Sequence, residues 1–164
     1  MEQPLPAWGN CNLGSLNLTK FVKYGFTKRA EFDFESFKEI VKSSVRFLDN
    51  INELSIKYDM YPFKEQLEEV VQTRRVGLGI MGLGDMFTML GIKFDSREAL
   101  QISENVMSAF RYNSYSSSLE ISKEKGPFKN WDYDKWIKSD FCKNLQNEIK
   151  EKAKESGMRN LTVN

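Results

Sequence analysis

The sequence predicts an α/β chain that is mainly helical, with a short extended segment near each end. Three observations carry this reading. Apolar residues recur at helical spacing over long stretches, as in Phe34, Phe37, Val41, Val45 and Leu48, the mark of helices with one buried face. Leu13 to Leu18 instead alternates roughly, as an extended segment does. The tail from Met158 to Asn164 alternates weakly, as the start of a strand. Extended backbone needs neighbours for its N–H and C=O groups, so both segments are expected to join a sheet whose other strands lie elsewhere.

Each element follows in order. Met1 to Asn12 is rich in Pro, Gly and Asn and reads as loop; Pro4 and Pro6 disfavour helix and remove two backbone donors. After the extended Leu13–Leu18 comes a polar stretch with Gly25. Asp33 is placed to cap a long amphipathic helix running to about Lys57, with Asn52 on the same stripe. Pro62 begins a second helical stretch carrying Leu67, Val70 and Val71. Arg74 to Ile92 is Gly-spaced and Met-rich, read as loop followed by a buried helix from about Met81 to Leu90. Ser96, with Glu98 and Ala99, starts a third long helix that stops at Lys125-Gly126-Pro127. Phe128 to Trp136 reads as an aromatic loop, and Cys142 to Ser156 as a fourth amphipathic helix closed by Gly157. No repeat or low-complexity linker divides the chain, so residues 1–164 are expected to form one segment.

Composition narrows the function. The chain is 40% hydrophobic, enough for a core. Lys and Arg number 24 against 23 Asp and Glu, a balance that gives no footprint for nucleic acid or an anionic membrane. The absence of His removes Ser-His-Asp and Cys-His catalysis and His-liganded metal sites from this chain. Two cysteines, Cys11 and Cys142, lie far apart and form no CxxC, so no thiolate zinc site and no disulfide framework is expected. No apolar run is long enough to span a membrane and the first residues do not read as a signal peptide, so the expected setting is a reducing cytoplasm.

Four features invite a chemical reading. Gly77-Leu78-Gly79-Ile80-Met81-Gly82 satisfies G-x-G-x-x-G, but the residues before it read as a charged helix end rather than the strand a dinucleotide site needs. The glycines are therefore read as permitting tight helix packing. Met81, Met86 and Met89 are read as core filler. Trp131, Tyr133 and Trp136 have no basic surroundings and are read as packing rather than base stacking. Glu2 and Cys11, a carboxylate and a thiol, flank a loop braced by Pro4 and Pro6. By residue type alone the two are ordinary; the wording around them is not.

The stretch Glu2-Gln3-Pro4-Leu5, followed after a short loop by Cys11-Asn12-Leu13-Gly14-Ser15, closely resembles a segment of the large, catalytic subunit of ribonucleotide reductases. The short spacing from Glu to Cys looks most like the adenosylcobalamin-dependent class. Three more blocks agree in order: Arg75 to Met86, Glu124-Lys125-Gly126-Pro127-Phe128, and Gly157-Met158-Arg159-Asn160, which resembles the run leading into the family's phosphate loop.

The resemblance implies a fragment of the family's ten-stranded α/β barrel, with the long helices in its outer layer. It implies Glu2 as the general base on the ribose 3′-hydroxyl and Cys11 as one of two cysteines that donate reducing equivalents and end as a disulfide. Cys142 matches no family motif. Implied for the complete enzyme are adenosylcobalamin as cofactor, a ribonucleotide substrate, a thioredoxin-like reductant and the remaining segments of the catalytic subunit. No cofactor-binding residue of this chain is identified, and no metal, nucleic acid or membrane is expected. The thiyl-forming Cys and its Asn would lie upstream of Met1 and the phosphate loop beyond Asn164, so the chain is expected to be one piece of a divided catalytic subunit and inactive alone. Two other readings compete: a non-catalytic helical interaction module derived from such an enzyme, and a small dinucleotide-binding protein using Gly77 to Gly82.

Overall fold

A computed structural model describes residues 5–163. Strand β1 (Asn12–Asn17) is followed by a 3-10 turn (Leu18–Phe21) and a small antiparallel hairpin of β2 (Val22–Lys23) and β3 (Glu31–Phe32). Helices α1 (Phe34–Lys57) and α2 (Lys64–Thr73) then lead to β4 (Val76–Met81). After β4 come α3 (Leu83–Leu90), the 29-residue α4 (Arg97–Lys125), the short α5 (Tyr133–Ile137) and α6 (Asp140–Lys143), and α7 (Asn147–Ser156).

β1 and β4 pair in parallel, with Asn12 opposite Val76 and Asn17 opposite Met81. A parallel pair needs a long crossover, which α1 and α2 supply. The tail runs along the other edge of β4 in the same direction: the amides of Val76 and Leu78 donate to the carbonyls of Thr162 and Val163 at 3.2 and 2.9 Å. β1 and the tail, which forms no strand of its own among the described residues, thus border β4 on its two edges, and α3 to α7 form the second crossover. The strands present here do not close a barrel among the described residues.

The long helices begin where their caps stand. Asp33 accepts from the Ser36 amide at 3.2 Å and Ser96 from the Ala99 amide at 3.1 Å, each satisfying one of the unpaired N–H groups of a first turn. The apolar stripe of α1, with Phe37, Val41, Val45 and Leu48, is buried against α4 and the sheet. In its second half α4 is buried nearly all round. Its run of serines admits α1 and α7 closely: the hydroxyls of Ser117 and Ser122 donate to the Lys42 and Ser156 carbonyls.

Several expectations need correction. Residues 76–81 are a central strand, not loop. Val76 and Leu78 are buried on one face while the glycines take the other, and that two-residue alternation overrides the poor strand propensity of glycine. The polar stretch around Gly25 contains the β2–β3 hairpin. The aromatic stretch is partly helical, as α5. The fourth helix is broken into α6 and α7 around the buried Leu145. Among the described residues no helix is long and apolar enough to cross a membrane.

Candidate functional site

Cys11 immediately precedes β1 and is half-buried. Successive strand residues face opposite sides. On the helix side, a Cβ added at Gly14 would touch Leu48 of α1. On the other side, a Cβ at Gly77 would lie 2.6 Å from Leu13 Cδ2 and 3.3 Å from Cys11 Sγ, and one at Gly79 would lie 3.3 Å from Ser15 Oγ. The Cys11 thiol therefore sits on the sheet face turned away from α1, beside Gly77, with Gly79 further along the same face beside Ser15. The expected role of these glycines in helix packing is incorrect: Gly77 and Gly79 clear space beside β1. The dinucleotide fingerprint places its glycines in the turn between strand and helix, whereas two of these three lie inside β4.

The start of β1 is fixed by an asparagine ladder. Asn12 Nδ2 donates to Asn52 Oδ1 at 2.7 Å, and Asn52 Nδ2 donates to the Arg75 carbonyl at 3.2 Å. Asn52 is buried in α1, so one side chain ties the residue after Cys11 to the residue before β4. The preceding loop turns at Pro6, whose carbonyl accepts the Gly9 amide at 2.9 Å, and Trp8 packs on Phe63 with ring centroids 5.5 Å apart. Glu2 lies outside the described residues. Cys142 is buried in α6 beside Tyr115, in agreement with a packing role.

A second constellation escaped the sequence reading. Asp49, Asn52 and Glu53 share one face of α1, as their spacing of three and four residues requires. Asp49 is 0% exposed. It accepts from Arg74 Nη2 at 3.0 Å, Arg159 Nε at 3.2 Å and Asn160 Nδ2 at 3.0 Å. Glu53 accepts from Arg74 Nη2 at 2.8 Å and Arg159 Nη2 at 2.7 Å. Arg159 Nη1 also donates to the carbonyls of Lys125 and Gly126 at the end of α4. Asn160 Nδ2 donates to the Arg74 carbonyl, and Ser118 Oγ donates to Asn160 Oδ1. Arg74 sits in the left-handed region (φ 47°), a strained conformation for a side chain of this size, and these bonds hold it there. The signal in the sequence was an acidic residue on an apolar helical stripe, in a chain with one arginine in a matching block and another immediately before one.

One of the four blocks that carried the resemblance thus has a structural explanation: Arg159-Asn160 in the tail meets Asp49 together with Arg74, which stands just before the Arg75–Met86 block. The network docks the tail beside β4, with the thiol of Cys11 on the open face of the same sheet.

A parallel strand pair joined by a helical crossover, with α1 on one face and a thiol on the other, is of the α/β class, and comparison with known proteins defines the family. The family model for the ribonucleotide reductase barrel domain matches residues 1–164. The chain is 40% identical over 138 residues to a vitamin B12-dependent ribonucleoside-diphosphate reductase of Thermoplasma acidophilum, covering 84% of this chain and 17% of that protein. It is 32% identical over 145 residues to the like-named enzyme of Mycobacterium tuberculosis, covering 88% of this chain and 20% of that one. It is also 32% identical over 162 residues to the ribonucleoside-diphosphate reductase large subunit of Variola virus, covering 92% and 20%. The chain belongs to the ribonucleotide reductase barrel-domain family. It spans a fifth or less of the length of these relatives.

Proposed function

We propose that this chain is one segment, residues 1–164, of the ten-stranded barrel of an adenosylcobalamin-type ribonucleoside-diphosphate reductase, and that Cys11 and Glu2 act in its reaction. The observation that carries this reading is the Cys11 thiol beside Gly77, on the face of the β1–β4 sheet turned away from α1. In a closed barrel that face would be the interior. The diphosphate and the cofactor follow from the names of the two B12-dependent relatives.

The reaction replaces the ribose 2′-hydroxyl by hydrogen. The 2′ C–O bond breaks and the oxygen leaves as water. Two thiols supply two electrons and two protons and end as one disulfide. Cys11 is one of these thiols, and its partner comes from another segment of the subunit. Glu2 accepts the 3′-hydroxyl proton, which favours loss of the neighbouring hydroxyl. Adenosylcobalamin, when bound to the complete enzyme, supplies the initiating radical chemistry. Cytoplasmic work with a thioredoxin-like reductant completes the cycle by reopening the disulfide.

The test combines this chain with the remaining segments of the catalytic subunit and follows deoxyribonucleotide formation with a dithiol reductant. Cys11→Ser is expected to abolish multiple turnovers, and Glu2→Gln to lower kcat by about 10²- to 10⁴-fold. Undiminished turnover by Cys11→Ser would overturn the assignment. Turnover by the 164-residue chain alone would overturn the expectation that it needs the other segments.

A further inference from the structure

We propose that the groove between α1, α4 and α7 binds a small phosphate-bearing anion. The groove encloses about 350 Å³, and no residue of β1 or β4 lines it. Its rim carries four lysines, Lys38 and Lys42 from α1, Lys123 from α4 and Lys152 from α7, and its floor holds Asn113 and Ser116. Those two residues are 5% and 8% exposed. Asn113 Oδ1 and Ser116 Oγ are buried and have no hydrogen-bond partner among the described residues. Buried polar atoms left without partners are rare in proteins and call for a ligand or water.

The donor and acceptor pattern specifies the ligand. Asn113 gives its side-chain N–H to the Ala109 carbonyl at 2.7 Å, which leaves a carbonyl oxygen that needs a donor. Ser116 has a hydroxyl free to donate. Hydrogen phosphate, or a phosphomonoester whose organic part carries a hydroxyl, meets both: an O–H of the ligand bonds Asn113, and a phosphoryl oxygen accepts from Ser116 and the lysines.

The charges around the groove agree. Lys42 faces Glu120 at 3.5 Å, Lys38 faces Glu35 at 4.0 Å, and Lys152 pairs with Glu148, which also accepts from the Tyr112 hydroxyl. Lys123 has no carboxylate within ion-pair distance among the described residues, so the groove carries surplus positive charge. A concave, positively charged site concentrates small anions, and a mobile ammonium is a suitable phosphate partner. An enclosed floor with unpartnered atoms favours a small ligand over a polymer lying across the rim.

The experiment is a titration of the ¹⁵N-labelled chain with sodium phosphate, at constant ionic strength maintained with chloride. Saturable shifts are expected at the Asn113 side-chain amide and the Ser116 and Lys123 backbone amides, at millimolar phosphate. Lys38→Glu combined with Lys123→Glu is expected to weaken binding about tenfold or more. Ser116→Ala, which alters no charge, is expected to weaken it about threefold. Circular dichroism checks that each variant keeps the parent fold. Tighter binding of ribose 5-phosphate than of inorganic phosphate assigns the site to an organic phosphomonoester; equal binding assigns it to the phosphate group itself. Absence of saturable shifts, equal shifts with chloride alone, or parent-like affinity in both variants would overturn the proposal.

Discussion

At Gly77 the space for one methyl group decides where a thiol sits. A Cβ there would meet Leu13 Cδ2 at 2.6 Å and Cys11 Sγ at 3.3 Å. Leu13 is exposed and its methyl can swing aside, so Gly77→Ala is expected to change stability by less than about 1 kcal/mol in urea titration. The half-buried thiol has less room to give. Its reaction with a disulfide reagent is therefore expected to change severalfold, while buried Cys142 stays slow. An unchanged fast phase would show that Gly77 does not set the thiol's position. At this scale the sequence singled out Cys11 for proposal through its neighbours and misread the glycines, because a G-x-G-x-x-G run has the same letters in a turn, a helix contact or a strand.

At the scale of elements, α1 is anchored at Asp33. Its carboxylate lies well below the usual range, held there first by the Lys23 ammonium at 2.7 Å and then by the Ser36 hydroxyl and amide. A depressed carboxylate adds stability that is present above its unfolded pKa, near 4, and is lost as pH falls through its folded value. Asp33→Asn keeps a capping oxygen but cannot titrate. The urea midpoint of the parent is expected to fall faster than that of Asp33→Asn below about pH 4, with added salt narrowing the gap because the pair is exposed. Parallel curves would show that the cap is not coupled to pH. Tyr115 works in the opposite range. Burial pushes its hydroxyl up to about 12. A raised pKa preserves stability at lower pH and loses it as pH rises, so the fold is expected to weaken between about pH 10 and 12, and Tyr115→Phe to lessen that slope. Caps and stripes made α1 and α4 legible from local spacing. β4 was misread as loop: its glycines outweighed the alternation Val76-Gly77-Leu78-Gly79-Ile80 that places Val76 and Leu78 on one buried face.

At the scale of the whole molecule, one buried carboxylate joins pieces 110 residues apart. Asp49 receives Arg74, Arg159 and Asn160, and the tail that carries the last two lies along β4. Removing one partner of a buried ionic group leaves its counter-charges without compensation. Asp49→Ala is expected to cost about 3–5 kcal/mol in urea unfolding. It is also expected to speed hydrogen exchange at the Leu78 and Leu161 amides, both bonded across the tail. Loss of global stability with unchanged relative protection at those amides would show that the network supports the core without docking the tail.

The sequence by itself determined the long helices, their caps, the existence of two extended end segments and, through four ordered blocks, the family. Each of these is written in residues close together in the chain or in the wording of a motif. Only the tertiary structure decided that β1 and the tail both border β4, that Gly77 lies beside Cys11 and Gly79 beside Ser15, and that Asp49 gathers Arg74, Arg159 and Asn160. The physical reason is that parallel pairing and buried ion networks join residues brought together by the helical crossovers, and no local periodicity records which distant partner each one meets.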